Sequence, residues 1–563
     1  MENSDPMSEK KSASPQTPDL DAYFGPRHET TPLGVVVGGA LSSGMKVRLD
    51  SRLSIEHLAI GRYVVIQGRS GRKFFGMITD VALESTNPEL LSHPPAVGDT
   101  FAAEIYYDEI ALGMLHISPM LMLDENENEP RPIKTIPAHF STAHEATAED
   151  VARVFGEEDE AHFYIGTPLE MENVQVNLDL RRFVERSSGV FGKSGTGKSF
   201  ITRTMLAGVI KSNLASTLIF DMHNDYGWAV KDENGREYKG LRQLFTGGQV
   251  SVVTLDQETS AARGSKTDRL LQISYDQIEP EDVEMLAGIL NLSEVQIGAL
   301  HFLHRKLGKE WVPKLLGLID AEQEFEEMVE SSHIVMGTLG AIRRKFELFR
   351  RLGFLVDSTR EDLVDDIFQR LNQGISVVLE FGRYGNTLAA YMLVANFLTR
   401  RLHQRYIAQK NKAAGGKGDE PRPLMIVIEE AHKFLDPQVA GFTIFGTIAR
   451  ELRKYNVTLL IVDQRPSGID DEVMSQIGTR ITCLLDNEAD IRAVFSGVSG
   501  SSALREVLAR LDTQQQALIL GHAVPMPVVV RTRDYNMDFY RALGYADPDT
   551  VEERSQKGID SLY

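Results

Sequence analysis

The run "VFGKSGTGKSF" at 190–200 restricts the possible folds of this chain more than any other stretch. An apolar strand end leads into Gly192, Lys193, Ser194, Gly195, Thr196, Gly197, Lys198 and Ser199, which fit G-x-x-x-x-G-K-[ST]. An amphipathic helix, "SFITRTMLAGVIKS", follows from Ser199 and Phe200. A chance glycine-rich turn lacks this strand-before, helix-after setting. Glycines let backbone N–H groups converge on phosphates without Cβ clashes, and a helix N-terminus adds partial positive charge. Residues 192–200 are therefore expected to grip a nucleoside triphosphate. Lys198 should reach the β- and γ-phosphates, and Ser199 should ligate Mg²⁺.

The rest of the chain divides around this loop. Residues 1–30 are polar and proline-rich, and read as a disordered tail. From 31 to 125, short β-branched or aromatic runs such as "GVVVGG", "RYVVIQG", "RKFFGMITDV", "FAAEIYYDE" and "LHISPMLML" predict a small β-barrel. An acidic, proline-broken linker is expected over 126–165. Near-continuous apolar strands then alternate with helices, the mark of a parallel sheet covered on both faces. This α/β core is expected over 166–277 and 373–536, with a helical insertion at 278–372 and a C-terminal tail at 537–563. The "RRK…RR" positions of the insertion read as a solvated helix face or, less simply, a partner or DNA surface.

Composition removes several classes. With 42% hydrophobic and 25% charged residues over 563 positions, the chain reads as a soluble protein of two or three domains. No apolar run approaches the ~18 residues of a membrane span, so a membrane-anchored motor is disfavoured. Absence of a signal-like N-terminus and a single cysteine, Cys483 in "RITCLL", fit a reducing cytoplasm and a buried thiol. The net charge of −20 weighs weakly against nucleic acid, because phosphate contacts depend on local basic surface.

Four further clusters carry chemistry. "LMIVIEEAHKFL" ends a buried strand in Glu429 and Glu430. The first acid of such a pair holds Mg²⁺, usually through water, and the second polarises the attacking water. Glu429 stands where Asp is usual; the plainer reading is two acids capping the next helix. In "VTLLIVDQRPSGID", Gln464 could place an amide near a γ-phosphate before Pro466 stops the strand. In "STLIFDMHNDYG", Asp221, His223 and Asp225 are expected to be polar residues at the active edge, since a zinc site would want more ligands. In "IARELRKYNVT", Arg450 and Arg453 share a helix face; they read equally as a solvated surface with Glu451 or as an arginine finger for a neighbouring subunit.

Together these motifs resemble the HerA family, hexameric DNA translocase/helicases related to FtsK, over residues 30–535. The resemblance implies an N-terminal HAS-type barrel before a RecA-like P-loop ATPase core with a helical insertion. It implies a homohexamer that consumes ATP with Mg²⁺ and pumps double-stranded DNA. A NurA-type nuclease, or another effector in antiphage defence, would dock on the barrel face. By the same resemblance Glu430 is the catalytic acid/base, Gln464 senses the γ-phosphate, and Arg450 or Arg453 acts in trans. Arg531 and Arg533 of "VVVRTR" would approach an adjacent nucleotide. A ring scaffold that holds and activates an effector is the competing expectation.

Overall fold

The computed structural model describes residues 32–546, apart from 70, 88–93, 100, 102–110, 125–129, 170, 233–234, 332–334, 360–361, 442, 452–453, 499–500 and 514. The polar tail expected at 1–30, the end "SQKGIDSLY" and the strand expected at "FAAEIYYDE" lie outside these, save for their margins.

Six strands close the N-terminal barrel: β1 (Pro32–Ala40), β2 (Gly44–Leu49), β3 (Tyr63–Gln67), β4 (Lys73–Ser85), β5 (Ala111–Leu123) and β6 (Thr142–Glu145). They run β2-β1-β6-β3-β4-β5, and an antiparallel β2–β5 pairing with Val47 opposite Leu115 shuts the ring. The last strand comes from the stretch expected as linker. "TAHE" is too short and polar to announce a strand, yet its backbone fills the gap between β1 and β3. Inside, Val36, Val47, Val64, Ile66, Phe74, Ile78, Leu115 and Ile117 form a core separate from the rest of the molecule.

The second body is one long sheet with a parallel centre. Its strands are β7 (His162–Pro168), β8 (Val176–Asp179), β9 (Ser188–Phe191), β10 (Ser216–Asp221), β11 (Val250–Thr254), β12 (Ser376–Glu380), β13 (Leu424–Glu429), β14 (Val457–Asp463), β15 (Thr479–Thr482), β16 (Gln516–Gly521) and β17 (Val528–Thr532). Spatial order is β11-β12-β10-β13-β14-β9-β15-β16-β17-β7-β8, with the short Arg269–Leu270 strand outside β11. From β11 to β15 all pairings are parallel, and the last four strands are antiparallel. Every residue of β9 to β15 is buried, because helices cover both faces. This is an α/β P-loop ATPase core preceded by a small all-β barrel. Met537–Ala542, inside the expected C-terminal tail, is a helix whose Phe539 and Tyr540 are buried.

Between Tyr275 and Asn372 the chain is mostly helical. Trp311 is fully buried there, donates its indole N–H to Ile278 O at 2.8 Å, and meets Phe346 edge-on at 5.6 Å. The insertion is tied to the long core helix Leu388–Ala414 through buried Asp282, which accepts from Arg400 at 2.7 Å and Arg401 at 3.0 Å. Its basic positions are partly used internally: Lys345 donates to Gln296 at 2.6 Å, and Arg350 donates to Leu316 O.

Candidate active site

The strand order fixes the site. β9 carries the glycine loop, β13 carries the acidic pair, and β14 lies between them. In a parallel sheet all three end on the same edge, so Phe191, Glu429 and Asp463 stand level there, and Glu429 and Asp463 line one crevice.

The loop leaves β9 at Gly192, whose φ is +152°, and passes Gly195 at +80° and Gly197 at +95°. A Cβ at Gly192 would sit 2.8 Å from Cys483 Cβ and 2.9 Å from Thr196 Oγ1, so no larger residue fits there. Lys193 N donates to Leu484 O at 3.0 Å, and Thr196 Oγ1 closes back on Lys193 O at 2.7 Å. Gly197 caps the helix Lys198–Ser212 without a side-chain partner, leaving the first N–H groups turned to the crevice. Lys198 Nζ donates to Gly192 O at 2.6 Å and Lys193 O at 3.0 Å. Burial lowers its pKa, and the charges of Glu430, Asp463 and Glu429 oppose that.

Glu429 and Glu430 have different surroundings. Glu429 is buried; its backbone N–H and C=O are both bonded to the Tyr391 hydroxyl at 3.0 Å, and its Oε1 accepts from Tyr226 at 2.9 Å. Its other oxygen, Oε2, is buried with no partner among the described residues. Burial, helped by Asp221, pushes this carboxyl up to about 8. Glu430 has a φ of 48°, a left-handed backbone unusual for a non-glycine residue. Its carboxylate is reachable from solvent, and Oε1 accepts from Gln464 Nε2 at 3.2 Å.

Asp221 accepts N–H bonds from Asp225 at 2.7 Å and Tyr226 at 2.9 Å, so it shapes the following loop. Burial raises it to about 6. His223 and Asp225 line the crevice, and among the described residues no three His, Cys, Asp or Glu side chains gather as a metal cluster.

The crevice is a cavity of about 560 Å³ lined by Ser194, Gly195, Gly197, Lys198, Ser199, Phe200, Glu429, Glu430 and Gln464, with Asp232, Arg236, Tyr238 and Gln515 at one side. It adjoins a cavity of about 220 Å³ lined by Phe200, Arg236, Tyr238, Gln515 and residues 532–536. Tyr226 sits inside "STLIFDMHNDYG" but reads there as a plain apolar residue, and Tyr391, Tyr238 and Gln515 come from segments outside any motif. Arg450 is elsewhere: its guanidinium pairs with Glu472 at 2.9 Å and Asp470 at 3.5 Å of its own chain. Arg453 lies outside the described residues. Arg531 is 3.5 Å from Glu172, while Arg533 packs against Phe163, Tyr164 and Phe539 beside the smaller cavity.

Ser199 and Glu429 face the same cavity, and the orphaned Glu429 Oε2 is an oxygen that a hard divalent cation, or water held by one, would satisfy. The residues present fit Mg²⁺.

Residues 163–402 match the family described as Helicase HerA, central domain. The DNA double-strand break repair helicase HerA of Pyrococcus furiosus is 24% identical over 89% of this chain and 92% of its own length. That of Saccharolobus solfataricus is 26% identical, over 92% of this chain and 95% of its own. The structure of VirB4 of Thermoanaerobacter pseudethanolicus aligns with a TM-score of 0.42 at 12% identity, over 67% of this chain and 98% of that one. The chain thus matches the HerA central-domain family over its centre and is similar to HerA helicases along most of its length.

Proposed function

We propose that this chain is an ATP-hydrolysing DNA translocase/helicase of DNA double-strand break repair, working as a homohexamer on duplex DNA. The observation that supports it most is the convergence of Lys198, Ser199, Glu430 and Gln464 on one crevice. The triphosphate lies along the 192–199 loop, where helix N–H groups and Lys198 carry its negative charge. Glu430, solvent-reachable, takes the proton of the attacking water. Gln464, now on the Glu430 carboxylate, is within reach of the terminal phosphate and reports its presence. Ser199 and Glu429 would hold Mg²⁺, which supplies charge neutralisation when bound.

An effector or nuclease partner on the barrel is a second reading, favoured by the barrel's separate core and by Leu41, Leu83 and Phe140 left exposed on it. The test is DNA-stimulated ATPase and triplex displacement by wild type, Lys198→Ala and Glu430→Gln. Motor function predicts both activities in wild type and neither in the variants. Turnover without DNA stimulation or displacement would favour the scaffold.

A further inference from the structure

We propose that Asp463 is a positioning residue that holds the general base and the phosphate sensor in mutual register, acting in part through His432. This rests on the ATPase reading above.

Asp463 ends β14, and its carboxylate is completely buried. A buried charge is costly unless several donors surround it. Here Oδ2 accepts the His432 backbone N–H at 2.6 Å, and Oδ1 accepts the Arg465 N–H at 2.6 Å. The His432 ring Nδ1 reaches both oxygens, at 2.9 and 3.1 Å. One donor lies two residues after Glu430 and another lies one residue after Gln464. A single rigid group therefore fixes both backbones that carry the 3.2 Å Gln464–Glu430 contact.

The left-handed turn at Glu430 makes this possible. After it the next two N–H groups both bond to β14, Ala431 N to Val462 O at 3.5 Å and His432 N to Asp463 Oδ2. Two more links fasten the same loops: Asp470 N donates to Leu435 O at 2.7 Å, and Gly468 packs so closely that a Cβ there would lie 3.2 Å from His432 Cβ. A plain cap would need only the backbone N–H. The imidazole goes further, because its Nδ1 also lies 3.6 Å from Glu430 Oε2. The ring thus stands between two carboxylates and limits where the base can swing.

The experiment uses the full chain as wild type, Asp463→Asn, His432→Asn and His432→Ala. It compares kcat and KM for ATP hydrolysis with equilibrium binding of a fluorescent ATP analogue. An asparagine at 432 can present an amide N–H where Nδ1 stands, and alanine cannot. Expected are a roughly 10- to 100-fold loss of kcat in Asp463→Asn with affinity within about twofold, and clearly more activity in His432→Asn than in His432→Ala. The proposal is overturned if Asp463→Asn keeps wild-type kcat, if kcat and affinity fall in step, or if the two His432 variants are equal. Should Asp463→Asn fail to fold, the His432 pair decides alone. A wild type that binds no nucleotide defeats the ATPase reading itself, and this assignment with it; a turning-over wild type with indifferent variants defeats only the assignment.

Discussion

The side-chain amide of Gln464 rests on the carboxylate of Glu430, N to O 3.2 Å, although 34 residues separate them in the chain. The contact joins a donor suited to phosphate to an acceptor suited to water. Glu430→Gln keeps the shape and removes the basicity. It should lower kcat by about 10²- to 10⁴-fold with nucleotide affinity retained, whereas Lys198→Ala should lose binding as well. Steady-state hydrolysis beside nucleotide titration separates the two.

Arg450 is held by Glu472 and Asp470 within its own chain. If it serves a neighbour's phosphates, it must leave that pair in the assembled ring. Arg450→Ala should then cut turnover by about 10³-fold or more without weakening nucleotide binding. Mixing Arg450→Ala with Glu430→Gln subunits should recover activity above either alone, because some interfaces then combine an intact base with an intact arginine. No recovery would place Arg450 among surface charges.

Glu380 is buried beside Asp221, and that burial raises its carboxyl from 4.5 to about 7. The folded state therefore keeps a proton that the unfolded chain gives up. Stability from this group declines as pH rises from about 4.5 to about 7 and is level beyond. Glu380→Gln should remove that decline, on the order of 2 to 3 kcal/mol. Urea midpoints at pH 5 and pH 8 measure it: the wild-type minus variant difference should become more negative at the higher pH.

Trp311 anchors the helical insertion through its fully buried ring and its bond to Ile278 O. Trp311→Ala should cost about 3 to 5 kcal/mol, seen as a lower denaturation midpoint. Trp311→Phe keeps most of the volume and loses the hydrogen bond, so its cost should be about 1 to 3 kcal/mol.

Much of the site was legible because its parts are local. Gly192 to Ser199 form one loop, and Glu430 and Gln464 each end an apolar run that reads as a strand. Their order in the sheet was not legible, since nothing in "VTLLIVDQ" says that it inserts between β9 and β13. The partners of Glu429 were hidden for the same reason: Tyr226 is 203 residues away and Tyr391 is 38. Nothing in "VTLLIVDQ" singles out Asp463, because its role exists only once two loops are folded side by side. The barrel's closing strand, "TAHE", was missed because barrel closure rewards backbone pairing, which a composition signal does not record.

The backbone of Glu430 has a further consequence. A left-handed φ of 48° costs a side-chain-bearing residue about 1 to 2 kcal/mol that glycine would not incur. Glu430→Gly should accordingly unfold at a higher denaturant concentration than wild type while hydrolysing nothing. A selection for robustness alone would drift toward that inert protein, so turnover and ruggedness pull in opposite directions at this one position.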